Sequence, residues 1–322
     1  MNDYRLGSQG DPVRRIQTRL AELGLYRGPI DGAFGGGTEG AVKAFQRARD
    51  ADPDGRVGPI TWGLLFAAEP VPANALLGEP VASRCMALTG SFETGSLFPE
   101  CFAGLSGDFD GQGLSFGVAQ WNFGQGSLQP LLKEALASYP EVLAGIFHEH
   151  LDTLRAVLDS GGRDDDLAFA RAIENTRTHA INEPWRGMFK ALGRSPEFQN
   201  TQLKHAGMLL ASARRWMDAY GLYSQRALAL MFDIAVQNGS IAAPTAARIR
   251  AECAALSADL SRADRELASL RIVANCRAEA AKPEWVADVR QRKLCIAEGM
   301  GRVHGVAYDL ESQFGLTLAE LA

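Results

Sequence analysis

Apolar residues recur at helical intervals along most of this chain. Near its start Val13, Ile16, Leu20 and Leu23 fall on one helical face, and Asp11-Pro12 before them reads as an N-cap followed by the first helical position. Farther along, Val81, Cys85, Leu88 and Phe92 fall on one stripe of an amphipathic helix. Pro80 suits its first turn, and Gly95 with Pro99 stops it. Ser127 is placed to cap a helix carrying Leu128, Leu131, Leu132 and Leu136. Ser224 opens RALALMFDIAVQNG, whose Leu228, Met231, Ile234 and Ala235 predict a buried central helix ending at Asn238-Gly239. Asp233 and Gln237 lie on an adjoining face, lining a groove or facing water. Ile249, Cys253, Leu256, Leu260, Ala263, Leu267 and Leu270 alternate by four and three, predicting one long helix with a coiled-coil-like seam. Packing on its own domain is expected, with dimerisation as the alternative. Residues 283–305 continue helical, with Arg290, Arg292 and Lys293 free to pair with acids or face water.

The period changes once. After the turn pairs Asp110-Gly111 and Gln112-Gly113, Leu114, Phe116 and Val118 alternate with Ser115, Gly117 and Ala119, as in a half-buried strand. The predicted fold is therefore mainly α: a small three-helix module, then a larger α-rich domain with one β-hairpin at its site. The module occupies residues 1–66, a linker interrupted by prolines 67–79, and the larger domain 80–322.

An internal repeat defines the module. Asp31-Gly-Ala-Phe34-Gly35-Gly-Gly-Thr38-Glu-Gly-Ala-Val42 and Asp54-Gly-Arg-Val57-Gly58-Pro-Ile-Thr61-Trp-Gly-Leu-Leu65 share the pattern DGxΦGxxTxxΦΦ at a spacing of 23. Each copy reads as a tight turn entering a helix.

Candidate chemistry gathers at the change of period. Glu93 stands in the last turn of its helix, where the dipole and the apolar Phe92 and Leu97 both disfavour the charged form. A carboxyl group held protonated near neutral pH can act as a general acid. Asp108 and Asp110 are expected at the solvated tip of the hairpin, ionised and able to activate water. A small strand face ending in Gln120, Trp121 and Asn122 suits a flat polar ligand such as a sugar. One protonated and one ionised carboxyl group is the pair that glycoside hydrolysis requires. The weaker reading of Asp108-Phe-Asp110-Gly as a calcium loop lacks its closing glutamate, since Ala119 holds that place.

Composition narrows the partners. The net charge is −5, and residues 1–70 hold nine basic and nine acidic residues, leaving 24 and 29 for the rest. No basic stripe points to nucleic acid. The acidic excess of the second part weakly favours a cationic glycan. Residues 162–166, GRDDD, read as a solvated turn or helix start. Five widely spaced cysteines read as free buried thiols, although Cys85 and Cys101 bracket Glu93. His148 and His150 belong to no metal spacing, so neither metal nor cofactor is expected. The first twelve residues lack a basic start followed by an apolar run, and no stretch is long enough for a membrane span. The expectation is a monomer made soluble in the cytoplasm that reaches an outside target by lysis or dedicated export.

Two family resemblances extend this reading. GDPVRRIQTRLAELGLY, IDGAFGGGTEGAVKAFQ and DGRVGPITWGLL resemble the repeats of peptidoglycan-binding modules of cell-wall hydrolases. The resemblance implies a wall-binding role, with Phe34, Thr38, Phe45, Gln46, Thr61 and Trp62 belonging to the motif. SFETG followed by GDFDGQGLSFGVAQWN resembles the catalytic region of the lysozyme-like superfamily, close to modular phage endolysins and to inverting chitosanases. It implies Glu93 as general acid, Asp110 as base or electrostatic helper and Ser115 as the residue that orients water. Asp108, Gln120, Trp121 and Asn122 are the candidate substrate contacts. The expected activity is cleavage of the β-1,4 bond of peptidoglycan, as muramidase or lytic transglycosylase. The alternatives are a chitosanase-like hydrolase and a non-catalytic wall-binding scaffold.

Overall fold

A computed structural model describes residues 3–67, 69, 75–96 and 98–321. Leu97 and residues 68 and 70–74 of the expected linker lie outside the described residues. Residues in contact group into two compact units, Met1–Arg84 with Met217–Leu230 and Ile241–Ala322, and Cys85–Trp216 with Met231–Ser240.

The first unit begins with α1 (Asp11–Glu22), α2 (Gly36–Ala48) and α3 (Pro59–Phe66). Val13, Ile16 and Leu20 form the buried stripe of α1 and meet Phe34, Val42, Phe45, Val57 and Trp62 in one core. The predicted start of α1 moves by one residue. Gly10 occupies the N-cap and makes no side-chain cap, while Asp11 is helical and pairs with Arg14 at 2.6 Å.

The second unit holds the end of α4 (Val81–Thr94), then β1 (Leu105–Ser106), β2 (Ser115–Phe116) and β3 (Trp121–Asn122) in an antiparallel sheet of that order. Next come α5 (Gln129–Ser138), α6 (Pro140–Phe147), α7 (Leu151–Ser160) and α8 (Arg163–Ala172). A hairpin of β4 (Glu174–Asn175) and β5 (Ala180–Ile181) follows, then α9 (Trp185–Arg194), α10 (Pro196–His205) and α11 (Gly207–Tyr220). The last helix to reach this unit is α12 (Gln225–Asn238). Its core is rich in aromatic rings: Phe116 stacks on Phe198 at 5.3 Å and meets Phe189 edge-on at 5.2 Å. Such rings supply large apolar areas to a unit whose strands are only two residues long.

Four expectations change here. Ser127 does not cap α5; its hydroxyl accepts the Asn122 N–H at 2.9 Å, closing the turn after β3. Asp166 is not solvated, being 4% exposed and bound by Gln129 Nε2 at 2.6 Å. Asp233 is fully buried and accepts the Thr89 hydroxyl at 3.0 Å. Sheet content exceeds the one expected hairpin, because short polar strands such as β4 carry no period-two apolar signal.

The chain returns to the first unit with α13 (Ala243–Ala254), α14 (Arg262–Glu279) and α15 (Val286–Glu298). The hairpin of β6 (Met300–Val303) and β7 (Val306–Asp309) and the short α16 (Leu310–Phe314) complete it. The single seam helix is thus two helices. Ser261 ends the break by accepting the Asp264 N–H at 3.1 Å, and Ala263 of the proposed seam is exposed. The three helices of the module are joined to this C-terminal part. Arg5 pairs with Asp309 and donates to the Ser312 hydroxyl at 2.6 Å. Gly7, at φ +92°, lies so near β7 that a Cβ would stand 2.3 Å from the Ala307 carbonyl oxygen. Tight backbone approach of this kind admits glycine alone.

Candidate active site

Glu93 lies where the pattern puts it, in the last turn of α4, with Gly95 at φ +69° accepting the turn out of the helix. Phe92 is buried while Glu93 is exposed, so the glutamate faces solvent and its expected setting among apolar side chains is not formed by Phe92. The helix end abuts the sheet through Gly104, just before β1. A Cβ there would meet Thr94 Cγ2 at 2.3 Å and Gln120 Nε2 at 2.8 Å.

On the sheet, Ser115 is half-buried at the middle strand, paired with Ser106 on one side and Asn122 on the other. Leu114, Phe116 and Val118 are all inside as expected, but Gly117 between them is buried too, and the ladder stops at Phe116. Gly117 and Gln120 take positive φ, and the Val118 N–H is claimed by Gln202 Oε1 at 2.8 Å. Gln120 spends its side chain locally, donating to the Gly117 carbonyl at 2.8 Å and accepting from Ser106 at 3.1 Å. Asn122 is buried, and its Oδ1 accepts the Gln125 N–H at 2.9 Å. Both amide oxygens are thus committed to the fold, because short strands need side chains to close their turns. Trp121 is half-buried against the core.

The two hairpin aspartates differ. Asp110 is exposed and accepts the Gln112 N–H at 3.1 Å. Asp108, expected beside it in water, has a side chain just 7% exposed. Its Oδ1 accepts the Gly113 N–H at 2.8 Å, and Oδ2 faces Arg171 at 3.3 Å. The Gly113 N–H first, then Arg171, hold its carboxyl below the usual carboxylate range against the effect of burial. A guanidinium therefore stands where the calcium reading would need a metal.

Sequence reasoning passed over the residues that hold this loop. Glu174 of β4, with a side chain 3% exposed, accepts the Asp108 N–H at 2.8 Å. His179 approaches the same carboxylate at 3.5 Å, and its carbonyl accepts the Gly107 N–H at 3.1 Å. The signal was Asn175 in NTRT, whose side chain accepts two backbone N–H groups and makes the turn between β4 and β5.

In the module, all six motif residues are buried: Phe34, Thr38, Phe45 and Gln46 at 1%, Thr61 at 5% and Trp62 at 0%. The repeat is thus first a folding device. Gln46 donates to Asp54 at 2.8 Å, the Arg56 carbonyl at 2.9 Å and Thr61 at 3.1 Å, and accepts the Gly55 N–H at 2.9 Å. Gln17 does the same for the first copy, donating to Asp31 at 2.9 Å, the Ala33 carbonyl at 3.0 Å and Thr38 at 3.3 Å. What these residues leave open is a surface hollow of about 370 Å³ over the second turn, edged by Asp52, Asp54, Arg56 and Ile60 with Gln46 and Thr61 in its wall.

Residues 9–65 match the family described as putative peptidoglycan binding domain. That match covers the repeat and the two glutamines that organise it. An uncharacterised protein of Kitasatospora aureofaciens is 46% identical over 57 residues, 17% of this chain and 48% of its own length. A spore cortex-lytic enzyme of Oceanobacillus iheyensis is 44% identical over 62 residues, 19% of this chain and 22% of its own. The chain thus spans half or less of these relatives' lengths. Among solved structures, the chitosanase OU01 with its substrate is 20% identical, with a TM-score of 0.46, over 73% of this chain and 98% of that one. No helix among the described residues is long and apolar enough to cross a membrane.

Proposed function

We propose that this chain cleaves the glycan strands of peptidoglycan, held on its substrate by the module of residues 9–65. The observation that carries the proposal is the coexistence, in one chain, of the peptidoglycan-binding match and a solvent-facing helix-end glutamate whose helix abuts a glycine-rich hairpin. In this reading Glu93 gives its proton to the oxygen of the β-1,4 bond as the bond from that oxygen to the anomeric carbon breaks. Asp110, at the exposed turn, takes a proton from water, and Ser115 directs that water to the anomeric carbon. If no water is engaged, the sugar's own 6-hydroxyl attacks, Glu93 serves as acid and then base, and an anhydro sugar results. The module raises the local concentration of the enzyme at the wall by tethering.

Mass spectrometry of the soluble fragments released from purified sacculi by the wild type and by Glu93→Gln tests the proposal. Fragments from the wild type alone support it; equal release from both overturns the role of Glu93. Release from neither overturns wall cleavage. The acidic excess beyond residue 70 favours one second reading, a chitosanase, in which chitosan is cut and sacculi are untouched.

A further inference from the structure

Beside the proposed chemistry stands an aromatic residue it does not use. Phe109 is 68% exposed, at the tip of the loop between β1 and β2. A phenyl ring left in water forgoes the gain of burial, and here the loop carrying it is fixed. Asp108 before it is fastened to Gly113, Arg171 and Glu174. The Phe109 N–H itself donates to the Gly107 carbonyl at 3.0 Å. The ring rests against the His179 imidazole, centroids 4.9 Å apart and planes tilted by 49°. His179 takes φ +53°, which directs the backbone of the β4–β5 turn around it. In the same turn, Glu174, Asn175, Thr176, Arg177, Thr178 and Asn182 line an open cavity of about 620 Å³. Its lining is hydroxyl and amide groups with one acid and one base, so it carries no excess charge.

A braced, exposed ring packed on His179, the residue that follows Thr178 of the neutral polar cavity, matches the two sides of a pyranose. The C–H face of the sugar is apolar and lies on an aromatic ring, while its equatorial hydroxyl and acetamido groups need hydrogen-bonding partners. A protein partner would require a wider apolar patch than one ring among polar side chains. We propose that Phe109, braced by His179, is a stacking platform for one N-acetylated sugar of a bound glycan strand, whose polar edge enters the cavity lined by Asn175, Thr176, Thr178 and Asn182.

The proposal rests on the reading of the chain as a glycan-binding protein, but its test is independent of cleavage. Calorimetric titration of the full chain carrying Glu93→Gln with the N-acetylglucosamine tetramer measures binding while preventing turnover. Adding Phe109→Ala is expected to weaken binding about tenfold, a loss of about 1.4 kcal/mol, whereas Phe109→Tyr retains it. His179→Asn, which keeps a residue tolerant of positive φ, is expected to give an intermediate loss by removing the brace. Undiminished binding by Phe109→Ala, or no binding by the parent, overturns the platform even if sacculi are cleaved. Tetramer binding that needs Phe109, in a chain that releases nothing from sacculi, upholds the platform and removes the cleavage reading instead.

Discussion

The backbone N–H of Asp108 donates to the Glu174 carboxylate at 2.8 Å, fastening the loop of the central sheet to the separate hairpin of β4 and β5. The closeness is extreme: a Cβ on Gly107 would stand 2.3 Å from the same carboxylate oxygen. Glu174→Ala is therefore expected to cost about 1–3 kcal/mol by orphaning a partly buried N–H, seen as a lower denaturation midpoint. It should also raise hydrogen exchange at Asp108 and Phe109. Glu174→Gln keeps an acceptor and is expected to lose less.

Two buried carboxylates should titrate with opposite consequences. The folded-state pKa of Asp108 is lowered, chiefly by the Gly113 N–H, so its contribution to stability is present above the ordinary carboxylate range and lost as pH falls through the lowered value. The pKa of Asp166 is raised, chiefly by burial, so the folded state holds that proton more tightly and stability declines as pH rises through that range. Thermal melts from acid to neutral pH are expected to show Asp108→Asn destabilised at neutrality, with the gap closing in acid. Asp166→Asn, which still accepts from Gln129, should melt higher than the wild type at neutrality and equal to it in acid.

Gln17 and Gln46 hold equivalent turns through equivalent bonds, and both are buried. Gln17→Ala removes the acceptor of the Gly32 N–H, and Gln46→Ala removes the acceptor of the Gly55 N–H and a donor to the Arg56 carbonyl; each change should cost about 1–3 kcal/mol per orphaned group. Co-sedimentation with sacculi should fall in proportion to the unfolded fraction of the module. In contrast, Ile60→Ser, at an exposed edge of the hollow over the second turn, should weaken sedimentation without lowering the melting temperature.

Asp110 and Ser115 separate the two forms of the proposed chemistry. For a hydrolase, Asp110→Asn and Ser115→Ala are expected to lower turnover by about 10²-fold or more, with reducing-end products. For a transglycosylase, neither change matters beyond a few-fold and the products are anhydro sugars. Single-turnover assays on sacculi, read by mass spectrometry of the released fragments, distinguish the two.

The helices were legible because each buries a stripe whose period the chain itself displays, as in Val13, Ile16 and Leu20 or Cys85, Leu88 and Phe92. Ser224 was legible as a helix start for a similar local reason: its hydroxyl accepts the Ala227 N–H three residues on, at 3.1 Å. Ser127 carries the same local signature but was recruited by Asn122 across a turn, a contact that depends on where β3 ends. The seam from Ile249 to Leu270 misled because spacing by four and three also arises across a break, here marked by the cap between Ser261 and Asp264. In the site, Glu93 and the exposed Asp110 could be located from the helix stop and the turn pair alone. Asp108 could not, since the partners that bury it, Arg171 and Glu174, stand 63 and 66 residues away.

The sequence by itself determined the repeat, the mainly helical class, the end of α4 and the turns of the hairpin, because each depends on groups a few residues apart or on a periodic apolar face. Only the tertiary structure decided which polar side chains are spent in holding it together. Gln46, Asn122 and Asp108 look equally available in the sequence, yet each is committed to backbone groups that a buried turn cannot leave unpaired. Phe109, which the sequence gives no reason to single out, stands exposed because its neighbours are pinned by residues far along the chain.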